Sequence, residues 1–405
     1  MKNTKELDFG KRMGFGCLRL PLLDDSDQAS FDYETLNKMI DIFLSHGFKY
    51  FDTSYIYHAE QSEVALRKAL VERHPRDSFL LSTKMPIKFM KKKEDLERIF
   101  EEQLQKCGVD FFDFYLIHSV NRDAYTKCKE WGVFEFLMQK QKEGKFREFG
   151  VSLHDSPEFL DEILMEHPEI NFVVEQINYV DWVNPAIRSK DIYEVAVKHG
   201  KPIVVMEACK GGTLAVIPEE AEKLMKAYNP DASIASWAYR FVASLPNVRV
   251  VLAGMPKWEF FEDNIKTMTN FVPLNEEEHK IIDQVVEIIN SNTAIPCTGC
   301  RYCEPVCPKN IAIPDDFALY NDRKRFENSN FRNGVNVQAN FYRNFVNQGR
   351  GKASECLKCH KCEKVCPQNL PIVEHLKEVA EAFENYSGMD FLGRKKGGIN
   401  EVVDR

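Results

Sequence analysis

Cysteine is scarce in the first 296 residues of this 405-residue chain, which hold only four single cysteines: Cys17, Cys107, Cys128 and Cys209. A secreted disulfide scaffold is short and rich in cysteine throughout, so this distribution argues against one. The chain also lacks an apolar secretory segment at its beginning, and no apolar run approaches the roughly 20 residues of a membrane span. We therefore expect a cytoplasmic protein without a membrane partner.

An excess of positive charge is also missing. The formal net charge is −8, so the sequence carries no basic footprint for nucleic acid or for an anionic membrane surface. Hydrophobic residues make up 44% of the chain, which is enough for a substantial core. Length and composition therefore favour one large α/β domain with a smaller one, or two to three domains in all.

Short apolar runs recur along the first 290 residues, and a segment of helical periodicity follows each run. This alternation is typical of a parallel sheet covered by helices. We predict strands at 12–17, 50–54, 79–85, 111–118, 147–153, 172–178, 202–209 and 248–255. We predict helices at 34–45, 61–72, 93–106, 133–143, 156–166, 188–199, 233–244 and 259–269.

Eight strand–helix units predict a closed (β/α)8 TIM barrel, a fold of typically ~250 residues. An open doubly wound sheet is the alternative, but its dinucleotide fingerprint is missing. The motif begins as Gly14-Phe15-Gly16, and Arg19 stands where the third glycine would be. We expect residues 4–12 to form a hairpin that closes the bottom of the barrel.

Four polar side chains near the ends of the second, third and fourth strands form a plausible proton-transfer set: Asp52, Tyr57, Lys84 and His118. A tyrosine pKa of about 10 is too high for an efficient proton donor at neutral pH. A nearby lysine ammonium lowers that pKa, an aspartate holds the lysine, and a histidine can orient the reacting oxygen. Each residue alone would more often be structural, but all four at successive strand ends predict catalysis.

These residues lie in the stretches FDTSYIYHAEQSEVALRKAL, LSTKM and DFYLIHS, which resemble the aldo/keto reductases, a family of NAD(P)H-dependent barrel enzymes. The resemblance covers residues 1 to about 290. It implies Tyr57 as general acid, Lys84 and Asp52 as the pair that tunes it, and His118 as the group that orients the carbonyl oxygen.

The resemblance also implies a nucleotide site. Ser152 and Gln176 would hold the nicotinamide carboxamide, and the loops CKGGTL (209–214) and GMPKWEFFEDN (254–264) would hold the phosphates and adenosine. Exposed N–H groups at Gly211 and Gly212 suit a pyrophosphate. The residues implied at this site are Ser152, Gln176, Met206, Gly211, Gly212, Gly254, Lys257 and Asn264.

Three positions depart from the family pattern. Leu153 replaces a frequent asparagine, and Met206 replaces an aromatic residue that stacks on the nicotinamide. The basic residues for the 2′-phosphate of NADP would align on Gly254 and Phe260, which leaves Lys257 as the nearby cation. The choice between NADH and NADPH is therefore open.

Eight cysteines after residue 296 form two runs of the pattern C-x₂-C-x₂-C-x₃-C-P, placed 59 residues apart. In two-cluster ferredoxins, three cysteines of such a run bind one [4Fe–4S] cluster and the fourth binds the other cluster. We assign Cys297, Cys300, Cys303 and Cys366 to one cluster, and Cys356, Cys359, Cys362 and Cys307 to the other. The alternative is a pair of zinc sites, which usually use two separated C-x₂-C hooks.

The segment around these runs resembles a helical two-cluster ferredoxin domain. Helical patterns occupy 315–327, 335–346 and 370–385, and a further helix is expected at 275–290. We predict a barrel domain at 1–292, an iron–sulfur domain at 293–385 and a polar tail at 386–405.

Hydride transfer moves two electrons at once, whereas each cluster passes one, and no flavin site is evident to convert between them. Three interpretations stay open. The barrel reduces a small-molecule carbonyl with NADPH or NADH while the clusters are structural, regulatory or a secondary electron route. Alternatively, a partner such as a ferredoxin feeds single electrons through the clusters to a barrel-bound substrate, or the barrel is a non-catalytic redox sensor.

The thin 2′-phosphate clamp gives a test. We expect cofactor preference to be weak or to favour NADH, and Lys257→Ala to change the dissociation constant for NADPH more than that for NADH. Fluorescence titration of both nucleotides measures this. Tight NADPH binding that survives the substitution would show that another group holds the 2′-phosphate.

Overall fold

Eight parallel strands form a closed barrel in the computed structural model, which describes residues 8–291, 293–325 and 337–384. The strands follow chain order around the barrel, and the last pairs with the first. They are β1 (Met13–Gly16), β2 (Tyr50–Asp52), β3 (Leu80–Met85), β4 (Phe112–Val120), β5 (Phe146–Leu153), β6 (Phe172–Gln176), β7 (Ile203–Met206) and β8 (Val248–Ala253). The predicted (β/α)8 barrel is confirmed.

All the predicted helices form over the residues that the structure describes; residues 326–327, 335–336 and 385 of three predicted helices lie outside them. They are α1 (Tyr33–Ser45), α2 (Ser62–Leu66), α3 (Asp95–Cys107), α4 (Arg122–Trp131), α5 (Val133–Lys142), α6 (Pro157–Glu166), α7 (Ser189–Lys198), α8 (Glu219–Tyr228), α9 (Ile234–Ala243), α10 (Trp258–Thr269), α11 (Glu276–Ser291), α12 (Ile313–Arg325), α13 (Val337–Asn347), α14 (Lys361–Lys364) and α15 (Ile372–Phe383). The sequence missed α4, α8 and the short α14, and α2 continues as a π-helical turn at Arg67–Val71. None of the described helices has both the length and the apolar character needed to cross a membrane.

Local sequence signals explain where several helices begin. Asp32 caps α1 by accepting a hydrogen bond from the Thr35 N–H at 3.0 Å, and Leu36, Ile40 and Phe43 turn one face of that helix inward. Ser156 likewise caps α6, with a proline at the first helical position as the sequence predicts. Both helices thus start where a side chain satisfies an otherwise unpaired N–H group.

Aromatic and branched side chains fill the interior of the barrel. Phe9 enters below the strands and stacks on Phe114 of β4, with ring centroids 4.9 Å apart, and meets Phe172 of β6 edge-on. Residues 8–12 contain no strand, so the expected hairpin does not form over the described part of 4–12; residues 4–7 lie outside the described residues. Phe9 is thus the described residue of this segment that packs into the interior core of the barrel.

The chain divides into two compact units whose limits differ from a simple cut in the sequence. The first comprises Met1–Asn178, Asp191–Ala208 and Ser236–Leu274; the second comprises Tyr179–Lys190, Cys209–Ala235 and Asn275–Arg405. Three segments of the predicted 1–292 domain thus group with the cysteine-rich part of the chain. The boundary at 292/293 stays a prediction, and the predicted tail at 386–405 lies outside the described residues.

A second apolar core occupies the cysteine-rich part of the second unit. Phe317 and Tyr320 of α12, Tyr342 of α13, and Leu376 and Phe383 of α15 are buried together in it. Tyr342 also donates a hydrogen bond of 2.5 Å to a glutamate carboxylate at the end of α15. This core brings the predicted spacer and C-terminal helices onto the two cysteine runs.

Glu175 on β6 is a buried carboxylate without a hydrogen-bond partner in the part of the chain that the structure describes. Its neighbour Val174 belongs to the barrel interior, so strand alternation turns Glu175 toward the helix layer. Burial raises the pKa of Glu175 to about 8. The folded protein therefore binds a proton here at neutral pH that the unfolded chain releases.

We expect Glu175→Gln to stabilise the protein as pH rises. Because the pKa is higher in the folded state, stability is fully present below the unfolded pKa and is lost as pH rises toward the folded value. The variant should gain ~2–4 kcal/mol over the wild type by about pH 8 and little near pH 5. Urea unfolding at several pH values measures this, with Glu130→Gln at an exposed site as the control. An equal response to pH in the variant and the wild type would contradict the assignment.

Candidate active site and cysteine hollows

A buried ion pair joins the ends of β2 and β3. Lys84 Nζ donates to Asp52 Oδ1 at 2.5 Å and to the Thr53 carbonyl at 2.7 Å, and the lysine side chain is 2% exposed. The strand register pairs Asp52 with Ser82, so Lys84 stands two residues further along the same face of β3. Burial lowers the pKa of Lys84, but Asp52 and the other partners outweigh it and raise the pKa overall. The lysine is therefore charged.

Tyr57 lies next to this ammonium. Its hydroxyl is 3.4 Å from Lys84 Nζ, and the Nζ also lies 4.9 Å from the centre of the tyrosine ring. Burial raises the pKa of Tyr57, and the Lys84 ammonium acts in the opposite direction without outweighing burial. The expected lowering of the Tyr57 pKa by Lys84 is therefore not seen in this structure, because the loss of hydration is the larger effect. The phenol is protonated at neutral pH.

His118 completes the predicted set from the end of β4. Its Nδ1 lies 2.8 Å from the hydroxyl of Ser54, and its ring meets the Tyr57 ring edge-on at 5.7 Å. Burial lowers the pKa of His118 well below its usual value, and the charges of Lys84, His154 and Lys88 lower it further. The imidazole is thus neutral, and with Nδ1 turned to Ser54 its Nε2 is the nitrogen suited to a substrate oxygen.

Sequence reasoning missed the network that supports Lys84. Glu63 on α2 accepts hydrogen bonds from Thr83 at 2.6 Å and from Gln103 at 2.8 Å, and Gln103 also donates to the Lys84 carbonyl at 3.1 Å. Burial raises the pKa of Glu63 to about 7. The hydrogen-bond partners of Glu63 lie 20 and 40 residues away in the sequence, so no local pattern predicts these contacts.

The expected nicotinamide contacts lie at the ends of three neighbouring strands. Ser152 lies near the end of β5, Gln176 ends β6, and Met206 ends β7; Gln176 pairs directly with Met206 in the strand register. Ser152 and Gln176 are both buried. Asn178 donates to the Glu207 carbonyl at 3.2 Å, which links the chain beyond β6 to the chain beyond β7.

The strand 8 side of the expected site is more basic than the sequence indicates. A side chain at Gly254 would meet Arg19, since a Cβ there would lie 3.4 Å from the Cβ of Arg19. Lys257 is exposed at the N-cap position of α10, and Asn264 is buried two turns further along that helix. Arg19 from the loop after β1 is therefore a second cation near Gly254.

Gly211 and Gly212 lie in the loop after β7, which belongs to the second unit. Both are left-handed, with φ of 66° and 94°, a conformation that side chains rarely adopt. The Gly212 N–H donates to the Cys209 carbonyl at 2.9 Å. The expectation that both N–H groups are exposed for a pyrophosphate is thus wrong for Gly212, because the turn itself uses that donor.

Two cysteine-lined hollows lie in the second unit. The first cysteine hollow is lined by Cys297, Cys300, Cys303 and Cys366, and the second cysteine hollow by Cys307, Cys356, Cys359 and Cys362. Each therefore takes three cysteines from one run and the fourth from the other run. Most of the remaining lining is apolar, and Ile313 contributes to both hollows. Four thiols in a largely apolar wall fit the ligand requirement of a [4Fe–4S] cluster.

The backbone of the two runs repeats as faithfully as the cysteines do. Left-handed residues occur at the same three positions of each run, at Gly299, Arg301 and Asn310 and again 59 residues later at Lys358, His360 and Asn369. The N–H of each fourth cysteine donates to the carbonyl of the residue three positions earlier in both runs.

Within the described ranges, no three or more His, Cys, Asp or Glu side chains are grouped closely enough to hold a single metal ion.

Comparison with known proteins agrees with this geometry. The model of the Aldo/keto reductase family matches residues 12–287. The chain belongs to the aldo/keto reductase family. A second family model, the 4Fe-4S dicluster domain, matches residues 296–370 and spans both cysteine runs.

The individual relatives are distant. Glyoxal reductase of Bacillus subtilis is 24% identical over 234 residues, which cover 56% of this chain and 76% of that protein. Among solved structures, aldo-keto reductase AKR11C1 from Bacillus halodurans in its holo form is 21% identical, with a TM-score of 0.54, over 68% of this chain and 91% of that one. An aldo-keto reductase from Klebsiella pneumoniae in complex with NADPH is 17% identical, with a TM-score of 0.53, over 68% and 90%. At these identities the structures establish the fold.

The lining of the hollows predicts which cluster each fourth cysteine serves. We expect Cys307→Ser, purified without oxygen, to weaken a cluster bound in the second cysteine hollow, because Cys307 lines that hollow from the other run. After mild iron chelation, alkylation and peptide mass spectrometry should find Cys356, Cys359 and Cys362 modified first.

Cys366→Ser is the matched control, since it should reverse the order and expose Cys297, Cys300 and Cys303 first. Early alkylation of those three cysteines in the Cys307 variant would overturn the interleaved assignment.

Proposed function

We propose that this protein is an NAD(P)H-linked oxidoreductase that reduces the carbonyl group of an aldehyde or ketone. The observation that carries the proposal is the position of Lys84, whose ammonium contacts Asp52 at 2.5 Å and the Tyr57 hydroxyl at 3.4 Å. A neutral His118 lies against the same tyrosine ring. Membership of the aldo/keto reductase family supports an oxidoreductase.

Each residue of this set has a distinct role in the reduction of the carbonyl group. A bound reduced nicotinamide would supply a hydride to the carbonyl carbon. Tyr57 gives its phenolic proton to the carbonyl oxygen, and Lys84 stabilises the phenolate that remains. His118 directs its Nε2 at the same oxygen and orients it. Asp52 keeps the ammonium in place through the cycle, because an unpaired lysine at this depth would lose its charge.

The barrel offers residues that fit the nicotinamide end of the nucleotide. Ser152 and Gln176 present a hydroxyl and an amide, the groups that recognise a carboxamide, from the ends of adjacent strands. Met206 replaces the stacking aromatic with a polarizable side chain. Arg19, Lys257 and Asn264 are the candidates near the loop after β8. The NADPH bound to the aldo-keto reductase from Klebsiella pneumoniae supports this type of cofactor.

We assign one [4Fe–4S] cluster to each cysteine hollow, as electron-transfer or regulatory centres. The match to a 4Fe-4S dicluster domain and the four cysteines of each hollow support this assignment. Ile313 lines both hollows, so two clusters bound there would be neighbours.

That adjacency favours a second candidate function. Neighbouring clusters suit a relay, in which a partner such as a ferredoxin delivers single electrons that reach a substrate in the barrel while Tyr57 still supplies the proton. The two candidates differ in the source of the electrons. NAD(P)H supplies them as a hydride in the first candidate, and an electron-transfer protein supplies them one at a time in the second.

Tyr57→Phe tests the first candidate, since it removes the proton donor and leaves both cysteine hollows intact. Positioned acid catalysis is typically worth about 10²–10⁴-fold, so NAD(P)H-dependent carbonyl reduction should fall by that factor. Tyr55→Phe is the matched control on the same loop, because the Tyr55 hydroxyl bonds to Glu102 at 3.2 Å, away from Lys84. Steady-state rates with an aldehyde panel and the visible cluster absorbance give the two readouts.

An unchanged rate of carbonyl reduction in the Tyr57→Phe variant would contradict the role of Tyr57 as proton donor. Stopped-flow absorbance separates the two electron sources. If a reduced ferredoxin reduces the clusters and substrate then reoxidises them, while NADH and NADPH support no reduction, the hydride proposal fails and the relay replaces it.

A further inference from the structure

Four exposed lysines accompany the cysteines of the second cysteine hollow: Lys309, Lys358, Lys361 and Lys364. Lys309 lines that hollow, and the other three lie between the cysteines of the second run. Among the described residues, no carboxylate forms an ion pair with any of the four. The whole chain has a net charge of −8, so a group of unpaired cations is a local exception.

The carboxylates of this stretch are engaged elsewhere. Glu363 accepts the Val373 N–H at 2.9 Å, and its other oxygen lies 2.6 Å from His360 Nδ1. Glu355 accepts the backbone N–H of Lys352 at 3.1 Å. These acids therefore leave the positive charge of the four lysines to face solvent.

The first run does not repeat this charge, although its backbone and its cysteines repeat. The positions 59 residues before the three lysines of the second run are uncharged: Gly299, Tyr302 and Pro305. Arg301 is a cation of the first run, and it pairs with Asp315 at 2.6 Å and with Glu304 at 3.2 Å. The two cysteine hollows thus differ mainly in the charge at their surfaces.

Lys358 holds its place in spite of an unfavourable backbone conformation. Its φ is 53°, in the left-handed region, and the corresponding residue of the first run is a glycine with φ of 70°. A side chain at such a position costs conformational energy that glycine avoids. The lysine is exposed and has no ion-pair partner among the described residues, so no contact within that part of the chain offsets the cost. An uncompensated residue of this kind indicates a role toward another molecule.

An exposed apolar side chain lies among these lysines. Leu357 lines the second cysteine hollow and is 59% exposed, and Cys359 of the same hollow is exposed as well. Cys300 gives the first hollow an exposed cysteine too, so access alone does not distinguish the two hollows. An apolar contact with a charged surround is the usual composition of a protein interface.

We propose that an acidic electron-transfer protein docks on this surface and delivers single electrons to a cluster in the second cysteine hollow. We call the surface the lysine rim, and it consists of Lys309, Leu357, Lys358, Lys361 and Lys364. The proposal rests on the relay candidate above, and it adds the charge of the partner and the hollow at which electrons enter. In each encounter the carrier loses one electron and the cluster gains one, and no bond or proton is transferred. Opposite charges speed such an encounter, and added salt screens the effect.

Binding of acidic carriers to the full-length, cluster-loaded protein tests the proposal without any substrate. The probes are an oxidised plant-type [2Fe–2S] ferredoxin, a two-cluster [4Fe–4S] ferredoxin and a flavodoxin, each of negative net charge. We expect binding of at least one probe. Lys361→Gln combined with Lys364→Gln should slow its association about 10-fold at low ionic strength and little at high ionic strength. Surface plasmon resonance measures the association rates.

Lys223→Gln combined with Lys280→Gln is the matched control. Both lysines are exposed in the same unit and line neither hollow, so this variant loses the same charge without changing the association rate. Lys358→Gly is a second test, because it copies the glycine of the first run. It should slow association and leave the thermal unfolding midpoint unchanged or higher, whereas the loss of a structural lysine would lower that midpoint.

The outcomes separate this proposal from the proposed function. Equal association of a carrier with the wild type and with the lysine-rim variants would overturn the lysine rim and leave the relay candidate standing. Absence of binding by all three carriers would overturn the rim and the relay together, while carbonyl reduction with NAD(P)H is judged separately by the Tyr57→Phe rates. Phosphatidylserine vesicles or duplex DNA that associate as fast as the carriers, with the same loss in the Lys361 and Lys364 variant, would also overturn it, because the rim would then be a general anion-binding surface.

Discussion

The charge of Lys84 in the buried end of a barrel is the constraint on which the candidate active site depends. Taking an ammonium out of water costs several kcal/mol unless a partner and hydrogen bonds compensate it. Asp52 and the Thr53 carbonyl provide that compensation, and the closed register of β2 and β3 holds them in position. Tyr57 then has one orientation next to a fixed positive charge. The interaction that stabilises the buried lysine therefore also fixes the positive charge beside the Tyr57 hydroxyl.

Lys84 and Lys210, which are both buried, illustrate how similar pairings serve different ends. Lys84 has one carboxylate partner and a phenol, so part of its electrostatic influence acts on a group that can exchange a proton. Lys210 lies between the carboxylates of Asp181 and Asp322, which compensate its charge, and the two ion pairs join separate segments of the chain. A buried lysine with a single anionic partner and a titratable neighbour is thus the better candidate for chemistry.

The barrel was predictable because its strands are nearly continuous apolar runs and its helices are amphipathic. Helix α4 was missed because most of its residues are charged or polar, and its buried face consists only of Ala124, Tyr125 and Cys128. The grouping of the candidate catalytic residues was predictable because strand ends converge in this fold, whatever their distance along the chain. The roles of Ser54 and Glu63 were not predictable. Ser54 bonds to a residue 64 positions away and Glu63 to residues up to 40 positions away, so only the folded chain shows these contacts. The same holds for Asp181 and Asp322, which a sequence scan reads as ordinary surface acids.

The arrangement of the two cysteine hollows bears on the evolutionary origin of this region. Each hollow needs three cysteines from one run and one from the other, and the left-handed backbone positions repeat with the same 59-residue offset. An ancestor with a single run would have had to pair with a second copy of itself to complete any four-cysteine set. Joining two copies in one chain replaces that encounter with an intramolecular one, which raises the effective concentration of each run for the other. Completion of the ligand sets then no longer depends on how much of the protein a cell contains.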